Sequence, residues 1–323
     1  MAVARPWRAS RASGPFQATV SDAPALNQVF SDAFTERYRR DGMVGVRVPF
    51  LNSAIWRYAI EDAGAGALLW RDEREEIVAF NIIHCSDREG WMGPLAVRPD
   101  AQGIGLGKEI VRAGIDWLKR APASVIGLET MPRTMDNIGF YSSLGFLPGR
   151  LTITVTVEAA HGERPPILYS RLAAHDKTDV LGECRALAQR VLAGHDFSRE
   201  IALTDELELG ETLLLREAGQ LVGFALCHMV PLVEGRPREE TRVLKLVLEH
   251  ESLLPRLVLG IADLARRSGT RRAAFRAQTE YQNAFHQLIG QGGRVRWTDL
   301  RMSLAGYSEP RAPTGLVWSN WEI

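Results

Sequence analysis

Cysteine is scarce in this chain of 323 residues. Cys85, Cys184 and Cys227 are far apart, odd in number, and form no Cys-x-x-Cys pair. That excludes a disulfide framework, argues against a zinc site, and fits a reducing, cytoplasmic compartment. Cys227-His228 sits in the apolar run LVGFALCHMV. It reads as buried strand, because a metal needs three or four converging ligands; no metal is expected. Charge of one sign is not in excess either: Lys plus Arg and Asp plus Glu total 39 each. A nucleic-acid-binding domain is more often clearly basic, so no nucleic-acid partner is expected. No apolar run reaches the ~18 residues of a membrane span, so no membrane partner is expected. The opening residues carry Arg5, Arg8 and Arg11 without an apolar core. They do not read as a secretory signal, and residues 1–15 are taken as a flexible tail.

What is present is an apolar share of 46% and a charged share of 24%, normal for a globular protein. The length suggests two domains. FQATVSDAPALNQVF starts as a strand and continues as a helix, with Ser21 or Asp22 as cap and Pro24 in the first turn. Ile55–Ile60 and Ala67–Trp70 look like short extended or turn-linked pieces. REEIVAFNIIHC and WMGPLAV read as strands, and the second runs into PDAQGIGLGKEIV. The helix that follows carries Ile110, Val111, Ile115, Trp117 and Leu118 at 3–4 spacing. Then come the strand Ser124–Thr130, a short helix from Thr134 to Phe146, and the β-branched strand Leu151–Ala159. His161–Pro166 reads as a linker.

The second half repeats this order. QLVGFALCH lies against EIVAFNIIH at an offset of 144 residues. TRVLKLVLEH, LLPRLVLGIADLARRSG, RRAAFRAQ and FHQLIGQGGRV follow, mirroring strand, helix, strand and helix. The chain is read as a duplicated α/β unit: residues 16–160 form the first domain and 161–323 the second.

Gly103, Gly105 and Gly107 alternate within five residues. Glycines at that density let backbone approach another group closely. A P-loop fails here, because Gly107-Lys108 is followed by Glu109 and position 102 is Gln. A dinucleotide fingerprint fails at its third glycine, where Lys108 stands. The pattern [Arg/Gln]-x-x-Gly-x-[Gly/Ala] between strand and helix is satisfied by Gln102, Gly105 and Gly107. Val97-Arg-Pro-Asp100 precedes it and FYSSLGF follows some thirty residues later.

On these motifs residues 16–159 resemble the GCN5-related N-acetyltransferase superfamily, with the second half an echo of its fold. The resemblance implies an α/β acyl-CoA N-acyltransferase fold: two tandem mixed-sheet domains with flanking helices, the first with splayed central strands. It implies an N-acetyltransferase moving acetyl from acetyl-CoA to a primary amine by direct attack, or a non-catalytic acyl-CoA sensor. Gln102, Gly103, Ile104, Gly105, Leu106, Gly107 and Lys108 are expected to seat the pyrophosphate. A helix start leaves about four amides unpaired and adds a positive dipole end. Leu95, Ala96 and Val97 are expected to offer their backbone to pantetheine as to an added strand, the Val97 amide meeting the acyl oxygen. Tyr141 takes the family position of the acid that protonates the leaving thiolate. The family often places Asn at position 134; here it is Thr134, with Asn137 one turn nearer Tyr141. Glu129 is the first candidate base and His84 the second, although water chains serve many members. Glu61, Asp62, Glu129 and Asp136 would suit a cationic acceptor, small molecule or peptide, and monomer or homodimer both remain open. In the second half HESLLPR replaces the loop and His286 stands for the tyrosine. That half is expected not to bind acetyl-CoA: Glu251 repels phosphate and Pro255 has no amide.

Overall fold

The computed structural model describes residues 12–162 and 165–321. The first half runs β1 (Ser13–Gln17), α1 (Ala23–Arg40), α2 (Ser53–Ala63), β2 (Ala67–Arg71), β3 (Ile77–Ser86), β4 (Glu89–Val97), α3 (Leu106–Arg120), β5 (Val125–Thr130), α4 (Met135–Ser142) and β6 (Phe146–Glu158). The second half runs β7 (Ile167–Leu168), α5 (Ala174–Val191), α6 (Ser198–Glu206), β8 (Gly210–Glu217), β9 (Gln220–His228), β10 (Glu240–Leu248), α7 (Leu254–Arg267), β11 (Arg272–Gln278), α8 (Gln282–Gly290), β12 (Arg294–Leu304) and β13 (Leu316–Ser319).

Two sequence expectations change. Ile55–Ile60 is not extended but lies inside α2. Asn52 caps that helix by accepting from the Ala54 amide at 3.0 Å, and Ile55, Trp56, Ala59, Ile60 and Ala63 bury one side of it. Ser13–Pro15 is not tail but part of β1, which pairs antiparallel with β2. Residues 1–11 of the expected tail lie outside the described residues, as do residues 163 and 164 of the expected linker.

The strands form one continuous sheet in the order β1-β2-β3-β4-β5-β12-β6-β11-β10-β9-β8-β7, with β13 added on β10. The halves exchange their last long strands. β12, from the second half, pairs with β5, and β6, from the first, pairs with β11. Thr130 faces Leu300 and Glu129 faces Arg301 across the first of these joins. The exchange makes the sheet one body, so each half completes the other.

On the first half, α1 and α2 cover one face of the sheet with Leu26, Ile55, Trp56, Phe80 and Ile82. Helix α3 and α4 cover the other with Ile110, Val111, Leu118, Leu128 and Phe146. Each such side chain, fully buried, contributes about 1.5–3 kcal/mol. Helix α3 approaches closely because Gly114 has no Cβ. A Cβ there would stand 2.4 Å from Met92 Sδ and 2.7 Å from Asn81 Nδ2. Asn81 Nδ2 donates to the Ile110 carbonyl at 3.1 Å, which pins the start of α3 to the middle of β3.

Candidate active site

Strands β4 and β5 run parallel from Glu89↔Val125 to Met92↔Leu128, and there the pairing stops. Strand β4 continues to Val97, still paired with β3 up to Ala79↔Val97. A wedge therefore opens between β4 and β5, with Leu95, Ala96 and Val97 on its β4 side. The Arg98 amide donates to Val78 in β3 at 2.7 Å. Backbone direction alternates along a strand, so the Val97 amide and carbonyl face the wedge. The Val97 carbonyl accepts from Gln102 Nε2 at 2.9 Å. Gln102 thus holds the loop against the strand end by its side chain.

The loop then climbs to α3. Gly103 and Gly105 have φ of 82° and 95°, and both point a would-be Cβ into open space. Gly105 is the N-cap of α3. Its carbonyl accepts from the amides of Lys108 and Glu109. Among the described residues, the amides of Gly103, Ile104, Gly105, Leu106 and Gly107 have no acceptor in the protein. Such a row of free donors at a helix start, with the side-chain space left empty, suits the oxygens of a phosphate ester. Lys108 is exposed beside it. Gly107 lies against Phe140 of α4, where a Cβ would be 3.4 Å from Cζ.

Tyr141 is buried on α4, between Phe140 and Phe146. Its hydroxyl has no hydrogen-bond partner in the protein among the described residues. Burial pushes its pKa up to about 12, so the phenol stays protonated at neutral pH. Thr134 is fully buried and its hydroxyl donates to Asp41 Oδ2 at 3.1 Å. It ties α4 to the end of α1. Asn137 is nearer the opening, and its Nδ2 reaches Thr130 Oγ1 at 3.4 Å.

Glu129 is differently placed from a free base. It lies at the wedge end of β5, but its carboxylate accepts from Thr152 Oγ1 at 2.5 Å, Arg301 Nη1 at 2.7 Å and Arg276. Burial pushes its pKa up, and the charges of Arg276 and Arg301 outweigh that and hold it below the ordinary carboxylate value. A base so stabilised in its ionised form is a poor proton acceptor. His84 faces Trp91 across β3 and β4, five β3 residues from the Ala79↔Val97 pair, or roughly 15 Å away at strand spacing. It is buried, bound by Nδ1 to Asp62 at 2.5 Å and stacked on Trp321. It does not reach the wedge. Of the other acidic candidates, Asp62 is buried on His84, Glu61 pairs with Arg57, and Asp136 is exposed beside Arg37. They do not converge.

Sequence reasoning missed Arg276, Arg301 and Asp41, which fix Glu129 and Thr134. These partners come from distant segments, and no local spacing announces them. It also misplaced the counterpart of Tyr141. Strand β11 lies 147 residues after β5, as the end pairs Met92↔Leu128 and Val243↔Phe275 show. The N-caps Thr134 and Tyr281 and the left-handed Gly145 and Gly292 keep that offset. The counterpart is Leu288, fully buried, and not His286.

Among the described residues no group of three or more His, Cys, Asp or Glu is placed to hold a metal, and no helix is long and apolar enough to cross a membrane. Residues 25–146 match the model of the acetyltransferase (GNAT) family. A mycothiol acetyltransferase of Renibacterium salmoninarum is 36% identical over 88 residues, 25% of this chain and 26% of that protein. The match thus spans about a quarter of the relative's length. A putative acetyltransferase from Pyrococcus horikoshii superposes with a TM-score of 0.68 at 15% identity, covering 99% of this chain and 97% of its own. A tandem GNAT protein from the clavulanic acid biosynthesis pathway gives 0.56 at 11% identity, covering 90% and 98%. Saccharomyces cerevisiae N-myristoyltransferase with bound myristoyl-CoA gives 0.63 at 10% identity, covering 95% and 85%. At these identities the superpositions speak for the fold. Residues 25–146 are thus similar to the GNAT acetyltransferase family, and the fold of the whole chain is shared with a tandem GNAT protein.

Proposed function

We propose that the first half is an acyltransferase site that moves acetyl from acetyl-CoA to the primary amine of a small molecule or peptide. The observation that carries this reading is the conjunction of the β4/β5 wedge with five free amides at the start of α3. The amides of Gly103 to Gly107 bind the pyrophosphate, helped by the α3 dipole and Lys108. Pantetheine lies along Leu95, Ala96 and Val97 as an added strand. Asn137, near the opening, serves the arm in place of Thr134, whose hydroxyl is committed to Asp41.

The amine nitrogen attacks the thioester carbonyl, and the Val97 amide donates to the oxygen as negative charge develops there. The C–N bond forms and the C–S bond breaks. Tyr141 donates its proton to the departing sulfur and recovers one from solvent. A phenol that burial keeps protonated is matched to that step. The proton lost by the amine goes to water at the mouth of the wedge, since Glu129 is held ionised by two arginines and His84 lies elsewhere. Holding both reactants in register supplies several kcal/mol of the barrier.

Titration calorimetry with acetyl-CoA tests the seat. The wild type should bind with a Kd between about 1 μM and 1 mM. Gly105→Glu places a carboxylate where the phosphate sits and should abolish measurable binding, since a loss beyond about 1.4 kcal/mol per tenfold carries the complex out of the titration range. Equal affinity in a folded Gly105→Glu variant would sink the assignment. Thiol release across a panel of amines tests transfer. Tight binding without turnover on any amine would favour a sensor.

A further inference from the structure

The second half keeps a wedge of its own, and the chain fills it. Strand β10 pairs with β11 in parallel from Glu240↔Arg272 to Val243↔Phe275 and then parts from it. Met92 pairs with Ile83 in β3, and Val243 with Cys227 in β9, 144 residues on. The two wedges therefore open at equivalent residues. In the first half, among the described residues, no strand pairs with the freed edge of β4. In the second, Lys245 to Leu248 pair antiparallel with Ser319 to Leu316 of β13. The Asn320 amide continues the ladder to the Leu244 carbonyl at 2.9 Å.

The opposite side of the second wedge also holds this segment. The Ser319 carbonyl accepts from Gln278 Nε2 of β11 at 2.7 Å. The Ala312 amide donates to the Tyr281 hydroxyl at 3.1 Å. Tyr281 caps α8 as Thr134 caps α4, the position from which the family reads the pantetheine arm. Ser319 Oγ accepts from Lys245 Nζ at 2.9 Å and donates to Glu89 Oε2 of the first half at 2.7 Å. The Lys245 ammonium sits 3.1 Å from the centre of the Trp321 ring. Leu316 to Trp321 are all buried. The fit allows no side chain at Gly315, where a Cβ would stand 2.4 Å from the Leu248 carbonyl oxygen and 2.6 Å from Val191 Cγ1.

We infer that the second wedge is a peptide-strand site whose occupant is the chain's own segment 312–321. It is a built-in replacement for a pantetheine arm, and it leaves the protein one acyl-CoA site per chain. The loss of the glycine loop at HESLLPR and the gain of this strand close the same seat from two directions. The identity of the excluded ligand rests on the proposed function; the strand site does not.

Two measurements on the full chain test this. Gly315→Val should dislodge the segment and lower the melting temperature. A synthetic peptide of residues 312–323, added in trans, should bind and raise it again in a concentration-dependent way, while a scrambled peptide does nothing. A folded Gly315→Val variant with wild-type melting and no response to the peptide would overturn the inference. Calorimetry with acetyl-CoA should give one equivalent on the wild type and none on Gly105→Glu. A second equivalent, or residual binding in the folded variant, would overturn it even where Gly315→Val fails to fold. Absence of all binding to wild type would refute the proposed function instead, and the peptide experiment would still judge the strand site.

Discussion

Replacing Glu129 by Gln separates a structural carboxylate from a catalytic one. Glu129 joins two arginines of the second half, and each has another acid: Arg276 pairs with Asp299 at 3.0 Å and Arg301 with Glu309. Removing the charge thus weakens two buried pairs without orphaning either cation. Orphaning a buried partner costs about 3–5 kcal/mol, and losing one charged hydrogen bond about 1.5–3. Gln keeps one acceptor oxygen, so Glu129→Gln should cost about 2–3 kcal/mol at pH 7. For a chain of this size that is a fall in melting temperature of about 3–4 °C. The folded-state pKa of Glu129 lies below its ordinary value, so the fold favours the ionised form. Its stabilisation is complete above about pH 5 and is lost as pH falls through the folded value. Gln does not titrate, and the difference between the proteins should therefore narrow in acid. Thermal melts followed by circular dichroism at pH 7 and pH 3.5 measure both quantities. A gap that is absent at pH 7, or unchanged at pH 3.5, would refute the reasoning. Lost turnover with wild-type melting would return Glu129 to the role of base.

Tyr141→Phe should lower the rate of thiol release by roughly 10²-fold or more, with acetyl-CoA affinity kept within about twofold. With the phenol pushed up to about 12, the wild-type rate should show no loss from this group below about pH 11. Gly114→Ala should destabilise by about 1–3 kcal/mol in urea melts, because its Cβ overlaps Met92 and Asn81. Asn52→Ala should cost about 1 kcal/mol in the same assay by uncapping α2.

The features legible in the sequence are those set by neighbours along the chain. Strand alternation, the amphipathic run of α3 and the glycine spacing are local, and β3 and β9 could be matched at a glance. Helix α2 was hidden because Ile55, Trp56, Tyr58 and Ile60 all favour strands in isolation, and burial against α1 and the sheet overrode that preference. Leu288 was hidden because the pair Phe140-Tyr141 resembles Phe285-His286, whereas strand register and helix caps fix the true offset.

The strand exchange was the least legible feature, and it has a readable cause only in three dimensions. Glu129, Arg301, Thr152 and Arg276 stand on β5, β12, β6 and β11, four neighbouring strands at the seam. Glu129 faces Arg301 directly in register. A slip of β12 by one residue would turn Arg301 to the opposite face and leave Glu129 short of a cation in a buried site. Two separately closed halves would part Glu129 from both Arg301 and Arg276, leaving the first half with a buried carboxylate and no cation beside it. The polar row thus favours the exchanged pairing over both of these alternatives. It also places second-half arginines at the wedge end of β5, so the first site depends on the second half even though that half carries no cofactor loop.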